Sequence, residues 1–127
     1  MWVIYKSVSS GYAYIISKNR GLINIPETGW LISDDGWQED NSLSVTGRNI
    51  LSSVETTSIY NITEGEPTYP DTVTVSSRGG AAHPQCSSLG VYKITNQTYT
   101  GRPVWKIMAD YDTFLFYQGN IKYIRGI

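Results

Sequence analysis

The chain has 127 residues and a mass of 14.2 kDa, which is the size of one domain with a core of its own. Only 17% of the residues are charged and the formal net charge is -1, so the sequence lacks the basic surface of a dedicated nucleic-acid binder. No apolar run is long enough to span a bilayer, and residues 1–6 do not resemble a signal peptide. We therefore predict no nucleic-acid partner and no membrane insertion.

Aromatic and β-branched side chains recur in short runs that are separated by Gly, Asn and Pro, which is typical of antiparallel strands. Residues 9–11 predict a hairpin turn, residues 50–55 fit either a strand or a helical turn, and residues 77–90 predict an exposed loop. In chain order, the predicted strands are residues 2–7, 11–17, 22–25, 29–33, 43–46, 57–63, 72–76, 91–95, 103–108, 113–117 and 121–125.

These elements predict an all-β fold: a single compact antiparallel domain over residues 1–127, with about eight to ten short strands in a sandwich, a barrel or a blade-like sheet. The first and last predicted strands are strongly apolar, and an open apolar edge invites pairing with another strand. We therefore expect either that residues 2–7 pair with residues 121–125 and close the sheet, or that each of these two segments pairs with a neighbouring copy of the chain.

Alternation along the strands predicts which aromatic rings face the core. Either Tyr5 or Tyr12 is expected to face outward, and an exposed row of later tyrosines would offer apolar area to a sugar or a partner protein. The expected core rings are Trp2, Tyr14, Trp30, Tyr92, Trp105 and Phe116. The expected ligand-binding rings are Tyr99, Tyr111, Tyr117 and Tyr123.

The last third of the chain carries the most distinctive motifs. They are Leu89-Gly90-Val91-Tyr92, Thr100-Gly101-Arg102-Pro103-Val104-Trp105-Lys106, and Phe114-Leu115-Phe116-Tyr117 followed by Gly119. Together they resemble a tandem tyrosine-rich β module of large proteins of marine invertebrates and protists, which reads Gly-x-Tyr, Asn-Gly-Arg-Pro-Val-Tyr, Tyr-Leu-Tyr-Tyr and Gly-x-Trp-x-Ile. Cys86 takes the position of the module's cysteine. Two positions depart from the module, because Thr100 stands where Asn is usual and no Trp follows Gly119.

The first part of the chain is similar to the second half of the same module, which has a Pro, a Trp and an acidic stretch before a closing strand. The matching residues are Pro26, Gly29-Trp30, Trp37-Gln38-Glu39-Asp40 and Leu43-Ser44-Val45. The half-modules thus occur in permuted order, at residues 1–47 and 71–127 with a connector at 48–70. The resemblance implies an extracellular or surface protein without catalytic activity.

His83 is the single histidine, and it lies three residues before Cys86. A small hydrolase with a Ser-His-Asp or Cys-His arrangement would depend on it. His83 falls in the loop predicted at residues 77–90, whereas a catalytic base needs a fixed geometry. One His and one Cys are also too few for a structural zinc site. We therefore predict a non-enzymatic protein with no catalytic residue and no cofactor.

Two further patterns could support a site. A cluster of carboxylates could supply oxygen ligands to calcium, although solvated turn charges explain the same cluster and the spacing is not that of an EF-hand. Two tripeptides match the acceptor pattern for N-glycosylation, at Asn61 and Asn96. The carboxylates are Asp34, Asp35, Glu39 and Asp40.

The leading hypothesis is a non-enzymatic structural or protein-binding β module, which includes a self-assembling or surface unit. Its expected partners are other protein chains, or further copies of itself through edge-strand pairing. A carbohydrate-binding β domain that uses exposed Tyr and Trp is the alternative, and a small hydrolase is a more distant one. The expected location is extracellular, at a surface or associated with a particle.

Overall fold

The computed structural model of the chain describes residues 1–8, 11–18, 24–34, 36–48, 69–79, 86–118 and 125–126. These residues form strands and connections with one short 3-10 turn, so the predicted all-β class is confirmed. No helix in these ranges could span a membrane. The strands are β1 (Trp2–Tyr5), β2 (Tyr12–Ala13), β3 (Ile15–Ser17), β4 (Trp30–Ser33), β5 (Trp37–Glu39), β6 (Ser44–Arg48), β7 (Thr72–Ser76), β8 (Gly90–Tyr99), β9 (Arg102–Ile107), β10 (Phe114–Tyr117) and β11 (Arg125–Gly126). The 3-10 turn spans Cys86–Ser88.

Nine strands form one curled antiparallel sheet, a half-barrel with the order β5-β4-β3-β1-β10-β9-β8-β7-β6. Strands β2 and β11 form a separate parallel pair. The two edge strands, β5 and β6, follow each other in the sequence, so the curl must bring the edges of the sheet towards each other. A direct bond spans this gap: the Val45 N–H of β6 donates to the Glu27 carbonyl oxygen, ahead of β4, at 2.9 Å.

Strand β1 lies in the interior of the sheet. It pairs with β10 in the register Trp2↔Tyr117, and with β3 in the register Val3↔Ile16. The predicted pairing with residues 121–125 is therefore wrong. The prediction that β1 pairs with a second copy is also wrong, because both of its edges are occupied. The sequence pattern marks a strand as apolar, but it carries no information on which strand lies beside it.

Most predicted strands are confirmed with small shifts of their ends. Residues 11–17 divide into β2 and β3 at Tyr14, whose N–H donates to the Ile4 carbonyl oxygen at 3.0 Å. Strand β8 runs well past the predicted 91–95. The predicted strand at 57–63 and the ambiguous residues 50–55 lie outside the described residues. Part of the predicted strand at 22–25 and part of the predicted turn at 9–11 also lie outside them.

The long strand β8 turns into β9 through a tight hairpin. Thr100 and Gly101 both have positive φ values, 51° and 79°, which is the backbone of a two-residue type I′ turn. A β-branched residue is strained there, and Asn is more usual. The Thr100 hydroxyl donates to the Tyr117 carbonyl oxygen at 2.7 Å, which ties the turn to β10 and offsets that strain.

An irregularity in β8 interrupts its pairing with β9. The register passes from Ile94↔Trp105 to Thr98↔Pro103, so residues 95–97 face Val104 alone. Pro103 has no N–H to donate, and a bulge is where a sheet tolerates proline. The Thr95 hydroxyl donates to the Val104 carbonyl oxygen at 2.7 Å and takes the place of a lost ladder bond.

The concave side of the sheet encloses the main core. Five of the predicted core rings, Trp2, Trp30, Tyr92, Trp105 and Phe116, are fully buried, as predicted. Tyr14 is half-buried, because it sits where the chain leaves β2 for β3 and packs on Tyr5 with ring centroids 4.8 Å apart. The open choice between Tyr5 and Tyr12 is resolved, since Tyr5 is buried and Tyr12 is exposed. The concave core consists of Trp2, Ile4, Ile15, Trp30, Ile32, Leu43, Val45, Val73, Val75, Tyr92, Trp105, Ile107 and Leu115.

Asp40 holds the turn that joins the two edge strands. Its side chain is buried, and its Oδ1 accepts bonds from the Ser42 N–H at 3.0 Å and the Ser42 hydroxyl at 2.8 Å. Its Oδ2 accepts from the Ser77 hydroxyl, just after β7, at 2.6 Å. Gly79 packs so closely here that a Cβ would lie 2.8 Å from the Ser42 Oγ. One carboxylate therefore connects the β5–β6 turn to the end of β7.

We predict that Asp40→Ala lowers the free energy of unfolding by about 2–4 kcal/mol, because three buried or partly buried donors lose a charged acceptor. Asp40→Asn keeps an acceptor oxygen for the turn and should cost less. The neighbouring Asn41 is exposed, so Asn41→Ala serves as the control and should change little. Urea unfolding of the three variants measures this, and equal stability of Asp40→Ala and Asn41→Ala would contradict it.

Candidate functional site

The convex side of the sheet is divided into a covered half and an open half. Around β1, β3 and β10, the outward side chains are buried in a second apolar cluster, to which β2 contributes Ala13. The outward side chains of β6, β7 and β8 are mostly exposed instead. The members of the covered cluster are Met1, Val3, Tyr5, Ala13, Ile16, Val104 and Phe116.

The open half is ordered by the strand register into two rows. In the first row, Thr46, Thr74 and Val91 are successive partners across β6, β7 and β8. Met108 continues this row, because its N–H donates to the Val91 carbonyl oxygen at 2.9 Å. The second row lies two residues along the strands, about 6.6 Å away, and contains Thr72, Lys93 and Lys106. We call these seven residues the β6–β9 face.

A groove opens on this face. It has a volume of about 460 Å³ and is lined by Thr46, Gly47, Thr72, Thr74 and Val91. These lining residues all lie on β6, β7 and β8, so the sheet itself forms the floor of the groove. Its lining is mixed, with threonine hydroxyls beside the methyl groups of Val91.

Exposed apolar side chains concentrate at one end of the β6–β9 face. Val91 is 40% exposed and Met108 is 64% exposed, and the two are cross-strand neighbours. Tyr111, 44% exposed, follows in the β9–β10 connection. Within the described residues, Tyr12 is the remaining large hydrophobic side chain with comparable exposure. Contiguous exposed apolar area of this kind marks interaction surfaces more often than scattered single residues do.

Two lysines stand side by side in the second row. Lys93 and Lys106 are direct Cα partners, and both are exposed. Like charges placed directly opposite each other destabilise a sheet. The Lys106 ammonium lies 3.4 Å from an oxygen of Asp112, but the two side chains are 47% and 72% exposed, so this ion pair contributes little.

Tyr92 packs in the core on the opposite side of the sheet from the β6–β9 face. It lies between Val91 and Lys93 on β8, points into the concave core, and donates its hydroxyl to the Ser88 carbonyl oxygen at 2.6 Å. Burial raises the pKa of Tyr92 far above its usual range, and the nearby Tyr111 raises that pKa further. The folded protein therefore holds this phenol neutral.

Three of the four tyrosines predicted as a row lie within the described residues, and these three do not form one surface. Tyr117 packs on Trp2 with ring centroids 5.3 Å apart, on the concave side. Tyr99 packs on Phe116 at 5.6 Å, on the convex side, and its hydroxyl accepts a bond from the Gln118 amide at 2.8 Å. Tyr111 lies at the opposite end of β9, and Tyr123 is outside the described residues.

Tyr117 belongs instead to a packed cluster around an arginine. The Arg102 guanidinium carbon lies 3.4 Å from the centre of the Tyr117 ring and 5.9 Å from that of Trp2. Tyr69 packs against Trp2 and Trp105, and burial raises the pKa of Tyr69 while Arg102 opposes the shift. The Trp105 indole N–H donates to the Pro70 carbonyl oxygen at 2.9 Å. These contacts explain the cluster as core packing.

Three of the carboxylates predicted as a calcium site, Asp34, Glu39 and Asp40, lie within the described residues and are not brought together there. The Asp40 carboxylate is bonded to hydroxyl groups, Glu39 pairs with Lys18 at 3.2 Å, and Asp34 is exposed. Asp35 lies outside the described residues. In the part of the chain that the structure describes, no three His, Cys, Asp or Glu side chains converge as metal ligands.

The remaining predicted positions have separate locations. Asn96 is exposed on the irregular segment of β8, which leaves its amide accessible to a modifying enzyme. Cys86 is an exposed free thiol at the start of the 3-10 turn. Asn61 and His83 lie outside the described residues, so glycosylation at Asn61 and any role of His83 stay predictions.

Sequence reasoning missed the β6–β9 face. Its members alternate with core residues, as they do on any half-buried strand, and nothing in Val91 or Met108 alone indicates exposure. The opposition of the two lysines could not be deduced either. The two-residue turn at Thr100-Gly101 would by itself place Lys106 opposite Thr95, and only the irregularity at residues 95–97 brings it opposite Lys93.

Comparisons with known proteins do not identify this chain: no family model, no curated protein and no solved structure matches it. The resemblance to a tyrosine-rich module therefore stays a prediction.

We predict that the free energy of unfolding falls above about pH 10. The phenol of Tyr92 ionises near its ordinary value of 10.0 in the unfolded chain but at much higher pH in the folded one, so its contribution is complete below pH 10 and is lost above it. The slope should reach up to about 1.4 kcal/mol per pH unit for this group. Urea unfolding at pH 8, 10 and 11 measures it.

Tyr92→Phe separates this effect from hydrogen bonding. Loss of the bond to Ser88 should lower stability by about 1 kcal/mol at every pH, whereas loss of the ionisable group should flatten the alkaline slope. An alkaline slope as steep in the variant as in the parent protein would show that Tyr92 is not the group responsible.

Proposed function

We propose that this chain is a non-enzymatic protein-binding module and that the β6–β9 face is its binding surface. One observation carries the proposal: Val91 and Met108 stay exposed beside a groove, on a sheet whose other convex half is buried. A folded chain gains stability by covering such side chains, and about 25 cal/mol is lost for each Å² of apolar surface left in water. A partner that covers the face would recover that free energy.

The composition of the face favours a protein over a reactive substrate. It presents threonine hydroxyls, aliphatic groups and ammonium groups, which suit hydrogen bonding, packing and charge pairing. The hydrolase hypothesis depends on His83, which lies outside the described residues, so the described geometry offers it no support. The proposal of a non-enzymatic role is supported by the exposed threonine, aliphatic and ammonium groups of the face.

Self-assembly by edge-strand pairing receives less support than binding through the face. Strand β1 has no open edge. In β6, the Val45 N–H already donates a hydrogen bond to the Glu27 carbonyl oxygen of the same chain. Assembly into a surface or particle structure remains compatible with the proposal if a neighbouring copy covers the β6–β9 face. An extracellular or surface location is part of the proposal, with the low charged fraction and the module resemblance as its support.

Carbohydrate binding is the second proposal, and Tyr111 is the observation that favours it. Its ring is 44% exposed at the end of the face where Met108 also lies, and a flat ring can stack on a sugar. A glycan array separates the two proposals, because a sugar site should lose its signal in Tyr111→Ala and keep it in Val91→Ser.

Site-directed photo-crosslinking tests the protein-binding proposal. A benzophenone amino acid at Met108 should capture a discrete protein from an extract of the source cells. The same group at Asn96, which is exposed but distant along β8, is the matched control and should not capture that protein. Val91→Ser in the Met108 crosslinker background should reduce the adduct about tenfold, since a buried aliphatic contact contributes about 1–2 kcal/mol.

Two results would contradict this proposal. One is an equal pattern of adducts from Met108 and Asn96, which would indicate random collisions. The other is an adduct at Met108 that Val91→Ser leaves unchanged while circular dichroism shows the variant to be folded.

A further inference from the structure

The second row of the β6–β9 face has a charge arrangement that folding alone does not explain. Lys93 and Lys106 face each other across the β8–β9 ladder, where a lysine opposite a glutamate would stabilise the sheet. Among the described residues, Asp112 is the one carboxylate in an ion pair with either lysine. The pair therefore carries a net positive charge at the surface, in a chain whose formal net charge is -1.

The first row lies directly beside that charge and is different in chemistry. It runs across four strands, a distance of about 14 Å, with two threonines followed by Val91 and Met108. An extended segment of four or five residues spans that distance at about 3.3 Å per residue. Successive side chains of an extended segment point to opposite sides, so a segment that lies along the two rows, about 6.6 Å apart, can direct alternate side chains to each row.

We propose that the β6–β9 face binds an extended acidic segment of another protein, in which carboxylates alternate with aliphatic side chains. The carboxylates meet Lys93 and Lys106, and the aliphatic groups pack on Val91 and Met108. The exposed Thr74 hydroxyl, beside Val91 in the first row, donates to a carboxylate or to a carbonyl oxygen of the segment. This inference rests on the proposed protein-binding function and specifies the chemistry of the partner.

Asp112 has a defined part in this arrangement. Its carboxylate already lies 3.4 Å from the Lys106 ammonium, so it occupies the place that a carboxylate of the segment would take. Asp112 is 72% exposed and can leave that position at little cost. It acts as an internal competitor, which lowers the affinity for weakly acidic segments.

Peptide selection followed by binding measurements tests the inference. A random-peptide library is selected on the immobilised chain, and the enriched peptides are synthesised with a fluorescent label for anisotropy. The enriched sequences should alternate Asp or Glu with Val, Ile or Leu. The double variant Lys93→Glu/Lys106→Glu should weaken binding of these peptides about tenfold or more, and Asp112→Asn should strengthen it about two- to threefold.

Lys18→Glu is the matched control. Lys18 is an exposed lysine that follows β3, next to Glu39, and strands β1 and β10 separate β3 from β9. It makes the same change of charge per site and should leave peptide binding unchanged. Val91→Ser should weaken binding without altering its salt dependence, whereas the lysine variants should abolish that dependence. Thermal unfolding confirms that each variant is folded.

Several outcomes would overturn the inference. These are enrichment of neutral or basic peptides, no enrichment, equal weakening by Lys18→Glu, or equal binding when serine replaces the aliphatic residues. Concentration-dependent self-association that Lys93→Glu abolishes would show that a second copy, and not a peptide segment, covers the face. Each of these results leaves the crosslinking test of protein binding intact, so failure of the acidic-segment inference is distinguishable from failure of the proposed function.

Discussion

Strand β1 has hydrogen-bonded neighbours on both edges and apolar packing on both faces, and the rest of the sheet depends on this double burial. Trp2 and Ile4 point into the concave core, while Val3 and Tyr5 point into the convex cluster. Each fully buried side chain of this size contributes about 1.5–3 kcal/mol. The strand also joins the two parts of the chain, because β3 on one side is followed by β4 and β5, and β10 on the other side is followed by β9, β8, β7 and β6. Without β1, neither part could cover its apolar residues.

Covering β1 on its convex side determines which surface is left for a partner. The second apolar cluster occupies the outside of β1, β3 and β10, so exposed outward residues are concentrated on β6 to β9. The concave side is filled by three tryptophans and by the Arg102–Tyr117 stack. The Asp40 turn and the Val45–Glu27 bond then hold β5 and β6 near each other, which sets the curl on which the groove depends. The β6–β9 face is thus the result of how the core is distributed.

Much of the fold could be predicted from the sequence, because short aromatic and β-branched runs report strand positions directly. The strand at residues 72–76 is an example: Val73 and Val75 are buried and Thr74 is exposed, as alternation requires. Strand order could not be predicted in this way, since β1 and β10 are far apart in the sequence and pair through shape and burial that no local pattern encodes.

The tyrosines predicted as one exposed row are not found together for a related reason. The sequence pattern suggested that Tyr99 and Tyr117 are both exposed. In the structure Tyr99 packs on Phe116 on the convex side of the sheet, and Tyr117 packs on Trp2 on the concave side. Asp40 likewise looked like a solvated turn charge, and only the approach of Ser77 from a distant strand shows its role.

Native-state hydrogen exchange tests the central role of β1 most directly. If both halves of the sheet are stabilised through this strand, its amides, from Trp2 to Tyr5, should exchange only on global unfolding and should be among the slowest in the chain. The amides of the edge strands β5 and β6 should exchange faster, through local opening. Exchange of the β1 amides at rates similar to those of β5, with a free energy well below that of global unfolding, would contradict this description of the fold.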